Sequence, residues 1–76
     1  MARRASSVRD VSGNRLSSVA TAVRVLKSFT STHPNWGVSD LASHLGVSTS
    51  TVHRVLSTLT DEGLLEQDIE SGRYRL

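Results

Sequence analysis

In VSDLASHLGVSTSTVHRVLSTL, residues 38–59, two short amphipathic segments are separated by a glycine. On both sides of Gly46, apolar residues recur at the three- and four-residue spacing of a helix with one buried face. Gly46 stands where helices commonly end in a left-handed residue, and Ser39 and Ser48 are the expected N-caps. Ala42 is small enough to let two backbones cross closely. The stretch therefore predicts a helix-turn-helix.

Another helix is predicted upstream, from Leu16 to Phe29, and Pro34 limits how far it extends. Its expected core-facing stripe contains apolar residues three or four positions apart, and these are Leu16, Val19, Ala20, Val23, Leu26 and Phe29. Residues 35–37 are expected to form a turn. Trp36 in that turn is expected to close the core beside the first helix.

After Gly63 the helical period gives way to two short strand-like segments, residues 64–67 and 73–76, separated by turn-forming residues. Alternation along the second segment places Tyr74 and Leu76 towards the core. Three helices followed by a hairpin predict a mainly α fold with a small β-hairpin, the winged helix-turn-helix, in which the wing is residues 64–76.

Composition allows one domain and favours a cytoplasmic protein. The 76 residues contain no cysteine, and the sequence shows no secretory leader or membrane-spanning stretch. Residues 1–15 are rich in Arg, Ser, Gly and Asn, which predicts a flexible basic arm ahead of a domain at 16–76. The arm either follows the minor groove of DNA or serves as a solubilising tail. Residues 1–27 hold six of the nine basic side chains and one acid.

The last helix of the helix-turn-helix carries a DNA-binding signal on the side opposite its apolar stripe. Ser50, Arg54 and Ser57 lie there, and no acid occurs before Asp61. A surface that enters the major groove must avoid carboxylates near phosphates and offer hydrogen-bond donors, and arginine can bind guanine through two hydrogen bonds. The alternative is a solvent-exposed surface unusually rich in Ser and Thr.

The residues predicted to contact DNA are Ser39, Ser48, Thr49, Ser50, Thr51, His53, Arg54, Ser57, Arg73 and Arg75. Arg54 is the strongest candidate for reading a base, and the hydroxyl groups suit phosphates and base edges. For Arg73 and Arg75 the alternative is an ion pair within the hairpin, with Glu66 or Asp68.

The chain resembles the N-terminal domain of the IclR-type bacterial transcriptional regulators. The matching stretches are SVATAVRVL (18–26), VSDLASHLGVS (38–48), STVHRVL (50–56), GLLEQD (63–68) and SGRYRL (71–76). The resemblance implies a homodimeric, metabolite-responsive regulator that binds palindromic operators, more often as a repressor than as an activator. It also implies a C-terminal effector-binding domain, which is absent from these 76 residues.

Other functions fit the sequence less well. His33, His44 and His53 are not at metal-ligand spacing, no cysteine accompanies them, and no nucleophile or phosphate-loop motif occurs, so neither an enzyme nor a cofactor or metal site is predicted. The main alternative is a winged helix that binds another protein, since this fold serves that role too. Binding of RNA, or of DNA without sequence preference, also stays open.

Overall fold

The computed structural model describes residues 9–76, with side chains from Ser17 onward. Within this part of the chain, the elements follow the order of a winged helix-turn-helix. They are α1 (Arg9–Lys27), β1 (Asn35–Trp36), α2 (Val38–Leu45), α3 (Thr49–Asp61), β2 (Glu66–Gln67) and β3 (Tyr74–Arg75). The predicted fold class is confirmed.

Helix α1 starts earlier than the sequence suggested. It begins at Arg9 instead of Leu16, so residues 9–15 of the predicted arm have a helical backbone. Extending a helix that already exists adds one hydrogen bond per residue without a new nucleation cost, which explains how a polar segment continues it. The remainder of the predicted arm, residues 1–8, lies outside the described residues. At its other end α1 stops at Lys27, and Phe29 packs into the core from beyond the helix.

The buried face of α1 also differs from the prediction. Val25 is buried although the predicted stripe did not include it, whereas Val19 and Val23 of that stripe are 60% and 46% exposed. Phe29, just past the helix, is buried as expected. Ala22 instead lines the groove against α3. The sequence contains two adjacent stripes of helical spacing, and the periodicity of one helix cannot decide which of them its neighbour will cover.

The turn between α2 and α3 forms as predicted. Gly46 adopts the left-handed conformation at φ 72°, and its N–H donates to the carbonyl of Ala42 at 2.9 Å. Ser48 caps α3, because its Oγ accepts a hydrogen bond from the Thr51 N–H at 3.2 Å. The prediction that Ser39 is the N-cap of α2 is wrong. Gly37, which has an extended backbone, is the N-cap, and Ser39 lies inside the first turn of the helix.

The hairpin is joined by a strand that the sequence did not predict. β3 pairs antiparallel with β2 on one side and with β1 on the other, and Tyr74 lies opposite both Trp36 and Gln67. Trp36 and Tyr74 are buried as expected, and the Trp36 Nε1–H donates to the Ser28 carbonyl at 2.8 Å, just past α1. Leu76 was expected to point inward but is 64% exposed, because it lies beyond the last ladder pair.

A single apolar core lies between the three helices and the sheet. Its most completely buried side chains are Leu41, Leu56, Val25 and Val52, and among the described residues no polar or charged side chain is buried. No helix of the described segment is long and apolar enough to cross a membrane. The core thus fixes α2 and α3 against each other and leaves the outer side of α3 in solvent.

Candidate nucleic-acid interface

The outer side of α3 is exposed to solvent. No acidic residue occurs on this helix before its last position. Val52, Leu56 and Leu59 are buried, while His53 and Arg54 are exposed. No side chain that the structure describes forms an ion pair or hydrogen bond with His53 or Arg54. Both are therefore available to an anionic partner.

Arg54 lies at the border between α3 and α1. It lines the groove between these helices together with Ser18, Ala22, Val55 and Thr58. The side chain itself is exposed, so it is accessible from solvent at this border.

The hydroxyl groups at the start of α3 fall into two sets. Ser48 Oγ donates to Thr51 Oγ1 at 2.9 Å and also accepts the Thr51 N–H, so the hydroxyl groups of these two predicted contact residues are engaged at the N-cap of the helix. Thr49 and Ser50 are exposed and make no hydrogen bond through their side chains within the described part of the chain. Thr49 and Ser50 are consequently better placed for an external partner.

Two further predicted contact residues differ in how accessible they are. Ser39 is exposed in the first turn of α2. Ser57 lies one turn after Arg54 on α3 but is half-buried, so its hydroxyl is less accessible than that of Ser50. The structure thus brings Ser50, His53 and Arg54 together on one exposed surface, with Ser57 at its margin.

Arg75 on the wing forms the ion pair that was kept open as an alternative. Its Nη2 lies 3.0 Å from Glu66 Oε1 on the neighbouring strand, and both side chains are exposed. Exposed pairs of this kind contribute little to stability, with a typical range of about 0–1 kcal/mol. The contact is therefore weak enough to be exchanged for another partner.

Arg73 has partners that the sequence did not indicate. Its Nε donates to Asn35 Oδ1, its Nη2 to the Asn35 carbonyl at 3.5 Å, and its Nη1 lies 3.8 Å from Asp40 Oδ2. Asn35 comes within reach because β1 pairs with β3. A two-residue strand has no periodicity from which that pairing could have been recognised.

Aromatic rings cluster around Trp36 at the edge of the sheet. The His33 ring stacks on the indole with 3.5 Å between centroids, and the His44 ring lies 4.9 Å away at 31°. His33 Nδ1 is also 2.9 Å from the Asn35 carbonyl oxygen. Among the described side chains, no three His, Asp or Glu residues come close enough together to hold a metal ion.

These features have counterparts in known proteins. Residues 18–68 match the IclR helix-turn-helix domain. The chain belongs to the IclR helix-turn-helix family. It is accordingly a DNA-binding domain of the type found in transcriptional regulators, and the matched range runs from the first helix to the start of the wing turn.

Relatives of this IclR-type domain are regulators of several bacteria. It is 41% identical over 61 residues to the glycerol operon regulatory protein of Streptomyces coelicolor and 34% identical over 61 residues to the HTH-type transcriptional regulator XynR of Escherichia coli. Each match covers 80% of this chain and 24% of the relative. The chain thus spans about a quarter of the length of these regulators.

Solved structures that resemble this chain are also IclR-type regulators. The IclR family regulator of Brucella abortus superposes with a TM-score of 0.77 at 37% identity, covering 79% of this chain and 23% of that one. The regulator of Alicyclobacillus acidocaldarius gives 0.75 at 39% identity, over 79% and 24% of the two chains. The IclR-type fold therefore extends over most of the described residues.

Proposed function

We propose that this domain reads a palindromic operator in double-stranded DNA for a cytoplasmic, metabolite-responsive bacterial regulator that represses its target genes. The observation that carries the proposal is the outer side of α3, where Arg54, His53 and Ser50 are exposed without a neighbouring carboxylate. In the major groove such a surface meets phosphates on both edges and base acceptors at its floor.

The predicted contact residues of the helix-turn-helix have two kinds of role in this proposal. Arg54 donates two hydrogen bonds to a guanine, and His53 contacts a base or a phosphate. Hydroxyl contacts to phosphates and base edges come from Ser39, Ser48, Thr49, Ser50, Thr51 and Ser57. Thr51 would donate its free hydroxyl hydrogen while still accepting from Ser48, whereas Ser48 would have to turn its one hydrogen from Thr51 to the phosphate and keep only the cap on the Thr51 N–H.

We also propose that the regulator binds DNA as a homodimer. Val19 and Val23 are exposed one turn apart on α1, where a second copy of the domain would cover them. A two-fold dimer places two copies of α3 in major grooves about 34–36 Å, or a small multiple of that distance, apart, and so demands an inverted repeat. The small-molecule effector would act through a further domain, such as the resemblance to full-length regulators implies.

The experiment is selection of bound sequences from a pool of random duplexes, followed by sequencing. The wild-type chain should enrich an inverted repeat, or its half-site, that contains an invariant guanine. Arg54→Ala should lose the preference at that guanine and keep it elsewhere. Absence of binding, or binding without sequence preference that is indifferent to Arg54, would reject the proposal in favour of a protein-binding or non-specific role.

A further inference from the structure

Arg73 is surrounded by groups of its own protein on the side that faces α2. Each of its three guanidinium nitrogens contacts either Asn35 or Asp40. A methyl group added at Gly37, the N-cap of α2, would lie 3.5 Å from Arg73 Nη1, so the guanidinium also lies directly beside that backbone. The side chain thus joins three elements: the end of the wing turn, β1 and the first turn of α2.

The charges of the wing do not favour a phosphate. Residues 66–75 include two basic side chains, Arg73 and Arg75, and three acidic ones, Glu66, Asp68 and Glu70. Arg75 is paired with Glu66, which leaves Asp68 and Glu70 on either side of Ile69 at the tip of the turn. A DNA backbone that approaches this tip meets net negative charge. The wing is therefore poorly suited to bind phosphates, the contacts that release counterions from DNA.

We infer that Arg73 is a positioning residue, which holds the wing and β1 on the first turn of α2 and does not itself bind a phosphate. This inference rests on the proposed function, because positioning is measured through DNA binding. By fixing the first turn of α2 relative to the sheet, Arg73 sets the orientation in which α2 and α3 are presented together. Loss of the Arg73 side chain therefore lowers the affinity for DNA because α2 and α3 are presented in a less favourable orientation. The number of phosphate contacts stays the same.

The salt dependence of binding separates these two roles. Each phosphate contact contributes about 0.9 to the slope of log affinity against log salt concentration. We would measure that slope on the selected duplex for the wild-type chain, Arg73→Ala and Asn35→Ala, below the temperature at which any of them unfolds. Asn35 is the matched partner, since its side chain contacts the guanidinium and carries no charge.

The expected result is that both variants lose affinity by a similar factor, roughly three- to tenfold, as one hydrogen-bonded contact typically contributes. Their slopes should equal the wild-type slope, and the double variant should bind no more weakly than either single one. Arg73→Gln, which keeps a donor for Asn35 without the charge, should recover most of the affinity.

Three results would have different meanings. A slope reduced by about 0.9 in Arg73→Ala, with Asn35→Ala unaffected and no recovery in Arg73→Gln, would overturn the inference and make Arg73 a phosphate ligand. Unchanged affinity in Arg73→Ala would overturn it as well and leave a purely structural contact. Failure of the wild-type chain to bind any duplex would instead reject the proposed function, which the selection experiment detects independently.

Discussion

Asp68 shows how single side chains hold the wing turn together. Its Oδ2 accepts a hydrogen bond from the Ser71 hydroxyl at 2.9 Å, and its Oδ1 accepts one from the Glu70 N–H at 3.2 Å. The Ser71 contact and then the Glu70 N–H stabilise the carboxylate, which holds the pKa of Asp68 below its ordinary value. The turn therefore depends on the charged form of this residue.

Acid should loosen the wing turn through Asp68. Because the pKa of Asp68 is lower in the folded chain than in the unfolded one, its stabilising effect is complete above the unfolded pKa and disappears as the pH falls through the folded one. Carbon NMR of the carboxyl group should show a pKa below the ordinary value. Ser71→Ala should raise that pKa towards the ordinary value, and an unchanged pKa in this variant would contradict the hydrogen bond.

Arg24 connects α1 to the end of α2. Its Nη2 donates to the Leu45 carbonyl at 2.9 Å, in the last turn, where carbonyls lack partners within the helix. Arg24→Met keeps the aliphatic stem and removes this bond, so the free energy of unfolding should fall by about 1–2 kcal/mol. Urea unfolding followed by Trp36 fluorescence measures the change. Lys27→Met, at an exposed site in the same last turn of α1, should change the free energy of unfolding by only about a few tenths of a kcal/mol. Equal losses in the two variants would contradict the prediction.

At the scale of elements, the turn between α2 and α3 depends on the backbone of Gly46. Its φ of 72° is unfavourable for side chains, while a Cβ at this position would meet no atom within 4 Å. Gly46→Ala should thus lower the free energy of unfolding by about 1–2 kcal/mol through backbone strain alone. Gly46→Asn should cost less, because asparagine tolerates this conformation. An equal cost for both variants in thermal unfolding would show that the strain lies elsewhere.

The elements that the sequence predicted well are those with local signals. The turn at Gly46 and the cap at Ser48 depend only on neighbouring residues, and the exposed surface of α3 follows from helical periodicity. The buried side of α1 could not be predicted, since it depends on which of two apolar stripes α3 covers. The same applies to the contacts of Arg73, because Asn35 is 38 residues away in sequence and only the sheet brings the two together.

At the scale of the whole molecule, the proposed dimer makes its own prediction. Val19→Ser and Val23→Ser together should reduce cooperative binding to a duplex with two half-sites, because an apolar contact between copies is lost. The stability of the single domain should change by only a few tenths of a kcal/mol, roughly, since both side chains are exposed.

Leu64→Ser is the matched control for these α1 variants, because Leu64 is exposed to a similar degree but lies after α3. It should leave cooperativity unchanged. Quantitative gel shifts on one-site and two-site duplexes measure the effect. Cooperativity that survives the α1 changes, or disappears in Leu64→Ser, would place the dimer contact elsewhere.

The central claim is that the outer side of α3 reads base sequence, and the most direct test is the ratio of affinities for the selected duplex and a scrambled duplex. This ratio would be measured at one salt concentration for the wild-type chain and for Arg54→Lys. Lysine keeps the charge but not the paired donors of arginine. Arg54→Lys should therefore bind the scrambled duplex as the wild type does, and its ratio should fall by roughly 5- to 150-fold, equivalent to about 1–3 kcal/mol for one guanine contact. An unchanged ratio would contradict the account.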